Sequence, residues 1–90
     1  MITLDEAKNY LRVGYEEDDG LILSLLDTAK QLVMDVGRID ENGLELHKDI
    51  TRTATLTALG YLYENRSNPD YQRLTLSLRS ILFAVREGKI

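Results

Sequence analysis

Hydrophobic residues recur through most of this chain every three or four positions, which is the spacing of a helix that buries one face. The longest such stretch begins after Asp18 and continues to about Val36, and we expect one long helix there. Gly37 follows directly and is suited to end a helix, because glycine readily adopts the left-handed backbone conformation. The stripe consists of Ile22, Leu25, Leu26, Ala29, Leu32, Val33 and Val36.

A shorter helix is predicted to precede it, over about residues 4–11. Thr3 and Glu6 have the spacing of a capping box, in which each side chain accepts a hydrogen bond from the other residue's backbone N–H. Gly14 follows as a helix breaker. The apolar face of this helix consists of Leu4, Ala7, Tyr10 and Leu11.

A third helix is predicted over about residues 46–65. Its apolar residues surround more than one face, which is typical of a helix at the centre of a bundle. A strand over residues 51–56 is the main alternative, because threonine is a poor helix former and four threonines alternate over residues 51–57. The apolar residues are Ile50, Ala54, Leu56, Ala58, Leu59, Tyr61, Leu62 and Tyr63.

The last helix is predicted over about residues 75–87, with Leu78, Ile81, Leu82 and Val85 on its apolar side and Gly88 at its end. Turns are predicted at residues 40–43 and 67–70, the second of which contains the only proline. With no convincing strand, the chain is predicted to be all-α. We expect a single domain over residues 1–90, built as a small bundle of about four helices.

The composition limits how such a domain can be stabilised. A chain of 90 residues buries only about 60–65% of its unfolded surface, and it has no cysteine for a disulfide or a zinc site. Oligomerisation is then a natural way to bury more surface. Asp5 and Glu6 interrupt the N-terminal apolar stretch, so no signal peptide is expected. No apolar run approaches the roughly 20 residues of a membrane span, and production in a reducing cytosol fits the lack of cysteine.

The net charge of −4 is unevenly distributed. Residues 1–45 carry eleven acidic and four basic side chains, a net charge of −7, whereas residues 46–90 carry four acidic and seven basic ones, a net charge of +3. The acidic balance argues against duplex binding, which needs clustered lysines and arginines. An acidic part and a basic part suit head-to-tail contact between identical subunits, and ordinary surface charge is the alternative.

The residues that carry enzyme chemistry are scarce. There is no cysteine, and the sole histidine, His47, falls near the start of the third helix, where we expect a surface or capping role. No serine lies in a nucleophile elbow, and the six glycines are too scattered to form a phosphate-binding loop. We therefore expect no enzymatic activity and no cofactor.

Two polar segments remain as candidate sites. The acidic run Glu16, Glu17, Asp18 and Asp19 lacks the spacing of an EF-hand loop, and capping of the second helix explains it better than a divalent cation. At the end of the third helix, Tyr63 and Arg66 fit either a plain helix terminus or a polar contact surface with an aromatic anchor.

Several segments, taken in chain order, resemble the small head–tail connector proteins of tailed bacteriophages and prophages, also called head-completion or adaptor proteins and often labelled DNA-packaging proteins. Two segments depart from the family pattern: residues 36–40 lack a Tyr-Thr-Gly-type sequence, and residues 71–74 lack a clear proline-led helix start. The similar segments are residues 4–8 (Leu-Asp-Glu-Ala-Lys), 11–13 (Leu-Arg-Val), 17–22 (Glu-Asp-Asp-Gly-Leu-Ile), 25–29 (Leu-Leu-Asp-Thr-Ala), 61–66 (Tyr-Leu-Tyr-Glu-Asn-Arg) and 78–86 (Leu-Arg-Ser-Ile-Leu-Phe-Ala-Val-Arg).

The resemblance implies a structural virion protein of the head–tail junction, made in the bacterial cytoplasm. Such a protein binds beneath the portal after DNA packaging, assembles as a ring through which DNA passes, and receives stopper or tail-completion proteins. The alternative is a small helical regulatory or adaptor module that binds another protein through one groove. A helix-turn-helix DNA binder is a weaker possibility because of the acidic balance.

The last helix is the expected docking element, because Arg79 and Arg86 are seven residues apart and project from nearly the same side. Arginine is enriched at interface hot spots. Alternatively, the apolar stripe of this helix is wholly buried inside the bundle, and its leucines take no part in docking. The candidate protein-interaction residues are Tyr63, Arg66, Leu78, Arg79, Leu82 and Arg86.

Overall fold

The computed structural model describes the backbone of residues 2–86 and the side chains of residues 2–85. The described part of the chain is all-α and contains no strand. Four helices have eight residues or more and two are shorter, so the prediction of about four helices gives the main elements. In chain order they are α1 (Leu4–Leu11), α2 (Asp19–Gly37), α3 (Glu41–Leu46), α4 (Lys48–Glu64), α5 (Tyr71–Ile81) and α6 (Phe83–Arg86).

The start of α1 is a capping box, as the sequence predicts. The backbone N–H of Glu6 donates to the Thr3 hydroxyl at 3.1 Å, and that of Thr3 donates to the Glu6 carboxylate at 3.0 Å. The side chain of Glu6 also pairs with Arg52 of α4. The hydrogen bond from the Thr3 backbone, together with Arg52, lowers the pKa of Glu6. One residue thus closes the helix start and joins α1 to α4.

Two helices end at an arginine instead of the glycine that the sequence suggested. Arg12 follows α1 with φ 60°, and Arg38 follows α2 with φ 56°, both in the left-handed region. In each case the next N–H bonds back across the turn, from Val13 to Lys8 and from Ile39 to Met34, both at 3.0 Å. This is the Schellman arrangement, whose left-handed position glycine usually occupies. Gly37 is still helical.

Helix α4 occupies the position predicted for it, since it packs against α1, α2, α3 and α5. The alternative of a strand over residues 51–56 is wrong, because packing and local hydrogen bonds hold the threonines in the helix. Thr51 and Thr55 are buried, and their hydroxyls donate to the backbone carbonyls of Leu44 and Thr51 at 2.8 and 2.7 Å. His47 takes the N-cap position of α4 without a side-chain hydrogen bond to it.

Two predicted boundaries are wrong for the same reason. Residues 40–43 are not a plain turn, because Asp40 caps the short helix α3 by accepting a hydrogen bond from the Gly43 N–H at 3.0 Å. The last helix begins at Tyr71, four residues earlier than expected, because Asp70 accepts from the Arg73 N–H at 3.1 Å. It also breaks at Leu82 into α5 and α6.

All of the longer helices contribute to one core. Within residues 2–85, three ion pairs join neighbouring helices around it: Lys8 with Asp19, Lys30 with Glu41, and Arg52 with Glu6. None of the helices over residues 2–86 has the length and apolar composition needed to cross a bilayer. The buried core residues include Ala7, Ile22, Ala29, Val33, Leu44, Ala54, Ala58, Leu59, Leu62, Leu74, Leu78 and Leu82.

Candidate interaction surfaces

Hydroxyl and carboxylate groups join the loop before α2 to the last turn of α4. The hydroxyl of Tyr63 donates a hydrogen bond to Asp18 Oδ2 at 2.6 Å. The hydroxyl of Tyr15 lies 3.3 Å from the same oxygen and 3.2 Å from the Tyr63 hydroxyl. The sequence placed Tyr63 at a helix end but gave no signal for a partner 45 residues away.

This arrangement changes the acidity of Tyr63. The hydrogen bond to the Asp18 carboxylate, the contact with the Tyr15 hydroxyl and partial burial raise the pKa of the Tyr63 phenol above its ordinary value. Loss of the phenolic proton would remove the hydrogen bond and place a second negative charge beside the carboxylate. Near neutral pH, Tyr63 is therefore a neutral donor that holds the loop against α4.

Arg66 covers the ring of Tyr63. Its guanidinium carbon lies 4.7 Å from the ring centroid, within the range of a cation–π contact, and its Nη1 donates to the Tyr63 carbonyl. Arg66 is exposed to solvent. The interpretation as a helix terminus is confirmed, because Arg66 satisfies a carbonyl at the end of α4. The polar contact surface stays a prediction.

The four carboxylates around the start of α2 make different contacts. Asp18 binds the tyrosine hydroxyls, and Asp19 Oδ1 lies 2.7 Å from the Lys8 ammonium nitrogen, which raises the pKa of Lys8. Asp18 occupies the N-cap position without a side-chain hydrogen bond to α2, so the expected capping role is wrong for it. Glu16 and Glu17 are exposed. Among the described residues, no histidine and carboxylate group is arranged to hold a metal ion.

The candidate residues of the last helix fall on different sides of it. Leu78 and Leu82 are fully buried in the core, as the alternative of an internal stripe requires, so neither forms a docking surface in this structure. Arg79 is exposed on α5. Arg86 ends α6, and its side chain lies outside the described residues.

Two large apolar side chains that the sequence analysis passed over are exposed beside Arg79. Leu76 is 57% accessible and Phe83 is 56% accessible. Leu76 stands three residues before Arg79, a spacing that places these two side chains on one side of α5. Phe83 begins α6 directly after the break at Leu82. The sequence pattern indicates this exposure, because both positions are out of phase with the buried Leu74 and Leu78.

A shallow groove of about 400 Å³ lies between the C-terminal part of α2 and α5. Arg38 and Arg79 line it from the two helices, and within the described residues neither arginine forms an ion pair. The sequence did not point to Arg38, because its position here depends on the left-handed turn that ends α2. The lining residues are Leu32, Asp35, Val36, Arg38, Thr75 and Arg79.

Comparison with families of known proteins identifies the kind of protein that carries these surfaces. A family model described as phage gp6-like head-tail connector protein matches residues 1–87. The chain belongs to this family. No curated protein and no solved structure gave a match.

Membership of the head–tail connector family confirms the resemblance seen in the sequence. Head–tail connectors are structural proteins of the phage particle, so the connector chain is a virion component that interacts with other virion proteins. The polar groups around Tyr63 and Arg79 are therefore considered as residues that stabilise the fold or contact other proteins. Tyr15, Asp18 and Tyr63, which we call the Tyr63 cluster, fix the loop before α2, whereas the groove beside Arg79 is open.

Proposed function

We propose that the connector chain binds beneath the portal after DNA packaging, assembles there as a ring, and bridges the portal to stopper or tail-completion proteins. DNA passes through this ring without specific binding. The observation that carries the proposal is the family match, which extends over residues 1–87 and so includes every helix described here.

The accessible surface supports a role in protein contacts. Leu76 and Phe83 are more than half exposed beside Arg79, and such a mixture of apolar anchors and arginine is typical of interface centres. Leu46, at the end of α3, is 77% accessible and offers a second apolar contact on another helix. A protein that joins a portal on one side and a stopper on the other needs more than one such surface.

The Tyr63 cluster supports the proposal in a different way. Asp18, Tyr15 and Tyr63 tie the loop before α2 to α4, and Lys8 with Asp19 ties α1 to α2. A connector that receives further components has to present its loops in one conformation, since ordering a loop at the moment of binding weakens affinity. The proposed function gives these bonds the role of holding contact surfaces in place.

The test uses the phage whose genome encodes this chain. Removal of its gene should yield heads that fill with DNA and remain tailless, counted by negative-stain electron microscopy. Purified connector chain added to those filled heads should bind at the portal vertex and restore tail attachment and infectivity. Tailed, infectious particles formed in its absence would overturn the proposal, as would filled heads that do not bind the purified chain.

A further inference from the structure

The groove at the C-terminal end of α2 and its apolar neighbours form one surface, which we call the basic groove. Arg38 and Arg79 line it, and Asp35 on its rim leaves a net charge of +1. Leu76, more than half exposed, shares the side of α5 that carries Arg79, and Phe83, also more than half exposed, begins α6. The basic groove thus combines two arginines without an ion pair among the described residues with two apolar anchors.

The loop before α2 and the N-terminal half of this helix carry a surface of opposite character, which we call the acidic face. Glu16, Glu17 and Asp27 are exposed, and none of them forms an ion pair within the described residues. Tyr15 is 50% accessible and Leu23 is 49% accessible. Leu23 and Asp27 are four residues apart and therefore share one side of α2. The acidic face has three carboxylates and two apolar anchors.

The geometry of α2 keeps the two surfaces apart within one chain. From Asp19 to Val36 the helix rises about 25 Å, at roughly 1.5 Å per residue. Glu16 and Glu17, which precede α2, therefore cannot reach the basic groove of their own chain. Both surfaces remain open to another molecule, and their charges and apolar anchors are complementary.

We propose that the basic groove of one copy of this chain binds the acidic face of a second copy. Arg38 and Arg79 would pair with Glu16 and Glu17, while the exposed apolar side chains on both sides cover one another. Because the two surfaces differ, each copy keeps one of them free, and the contact repeats until it closes. The inference rests on the proposed ring assembly and names the surfaces that meet in it.

Charge reversal tests the pairing. Arg38→Glu with Arg79→Glu reverses the basic groove, and Glu16→Arg with Glu17→Arg reverses the acidic face. Each double variant should remain helical by circular dichroism and weaken self-association, measured by analytical ultracentrifugation, at least about tenfold. A chain that carries all four changes should regain association, because opposite charges face each other again, and so should a mixture of the two double variants.

Cysteine cross-linking locates the contact directly, because the chain has no cysteine of its own. Glu17→Cys on the acidic face is combined in one chain with Gln72→Cys, an exposed position of α5 seven residues before Arg79 and so on the same side of that helix. Oxidation of the concentrated protein and of purified particles should give a ladder of disulfide-linked multimers. The matched control, Glu17→Cys with Asn42→Cys on α3, should give no ladder beyond a dimer.

The outcomes separate this inference from the proposed function. The pairing is overturned if charge reversal leaves self-association unchanged and the cysteine variant gives no ladder. The connector role stays intact in that case if the same variants enter particles and restore tails. If the chain never enters particles, the connector role is overturned. The pairing is then still tested by whether oxidation of the concentrated protein gives a ladder of multimers. Loss of association in both double variants with no recovery in the four-change chain also overturns the pairing.

Discussion

Gly43 lies in α3 at a point where the helix backbone approaches Ile39. A Cβ atom at position 43 would lie 2.6 Å from the Cβ of Ile39 and 3.0 Å from its Cγ2. Both distances are well below the roughly 3.5–4.0 Å of a favourable carbon contact. We expect Gly43→Ala to lower the free energy of unfolding by about 1–3 kcal/mol, measured by urea denaturation followed by circular dichroism.

Gly20 provides the matched control for this substitution. It lies in the first turn of α2, and a Cβ there would have nothing within 4 Å. Gly20→Ala should raise the free energy of unfolding by up to about 1 kcal/mol, because alanine is the better helix former. If Gly43→Ala is as stable as Gly20→Ala, the close approach of Ile39 is not a constraint on α3.

The raised pKa of Tyr63 predicts a loss of stability at alkaline pH. Its pKa is higher in the folded chain than in the unfolded one, so its contribution is complete below about pH 10 and is lost as the pH rises through the folded value. Urea denaturation between pH 9 and 11 should show a steeper fall for the wild type than for Tyr63→Phe. Tyr71→Phe, at an exposed tyrosine of α5, should fall as steeply as the wild type.

The helix starts show how far residue types alone determine local structure. The capping box of Thr3 and Glu6 was predictable, because both partners lie within one turn. Asp40 and Asp70 were interpreted as turn residues, yet each caps a helix, and aspartate favours both settings. The bond from Tyr63 to a carboxylate far along the chain depends on packing, which spacing does not reveal.

Among the helices, α3 and α4 depend on one buried hydroxyl at their junction. Thr51 is 4% exposed, and its hydroxyl donates to the Leu44 carbonyl of α3 at 2.8 Å. Thr51→Val keeps the shape of the side chain and removes the donor. We expect the free energy of unfolding to fall by about 1–2 kcal/mol, measured by urea denaturation.

The neighbouring threonine is a suitable control for that measurement. The hydroxyl of Thr53 donates to the Asp49 carbonyl at 3.1 Å within α4, at an exposed position. Thr53→Val should change the free energy of unfolding by no more than about 0.5 kcal/mol. Equal effects of the two substitutions would show that the bond between α3 and α4 contributes nothing specific.

The long helices were predictable because their apolar stripes are strongly periodic, and α1, α2 and α4 lie close to the expected positions. Helix α3 was missed because six residues show too little periodicity to separate a helix from a turn. The break at Leu82 was missed because the apolar stripe continues through it to Val85. At this scale the sequence determines which face is buried better than it determines where each helix starts and stops.

At the scale of the whole molecule, the division of charge between chain halves is only an approximate guide to the surface. Arg38 belongs to the acidic half by sequence, but the turn after α2 brings it beside Arg79 of the basic half. The described residues extend over only 40 × 25 × 17 Å. Charged residues from distant segments of the sequence therefore come close in space, as Arg38 and Arg79 do. Only the fold could show that Arg38 and Arg79 share a groove at the C-terminal end of α2, away from Glu16 and Glu17 before its start.

Assembly through these surfaces should appear in the thermal stability of the molecule. A partner that binds only the folded chain raises the melting temperature as its concentration rises. Differential scanning calorimetry over a hundredfold range of protein concentration should show this increase for the wild type. The Arg38→Glu, Arg79→Glu variant should melt at one temperature throughout, and a wild-type melting temperature that does not change would contradict self-association.

The left-handed backbone at Arg38 implies a trade-off between folding and binding. A non-glycine residue in this conformation costs roughly 1–2 kcal/mol, so Arg38→Gly should raise the free energy of unfolding while weakening association through the basic groove. Arg12 has the same backbone strain but lies outside the groove. Arg12→Gly should therefore raise the free energy of unfolding without weakening association. Arg38 would then be a position where the fold tolerates strain to place one guanidinium, and the most stable form of this molecule would assemble less well.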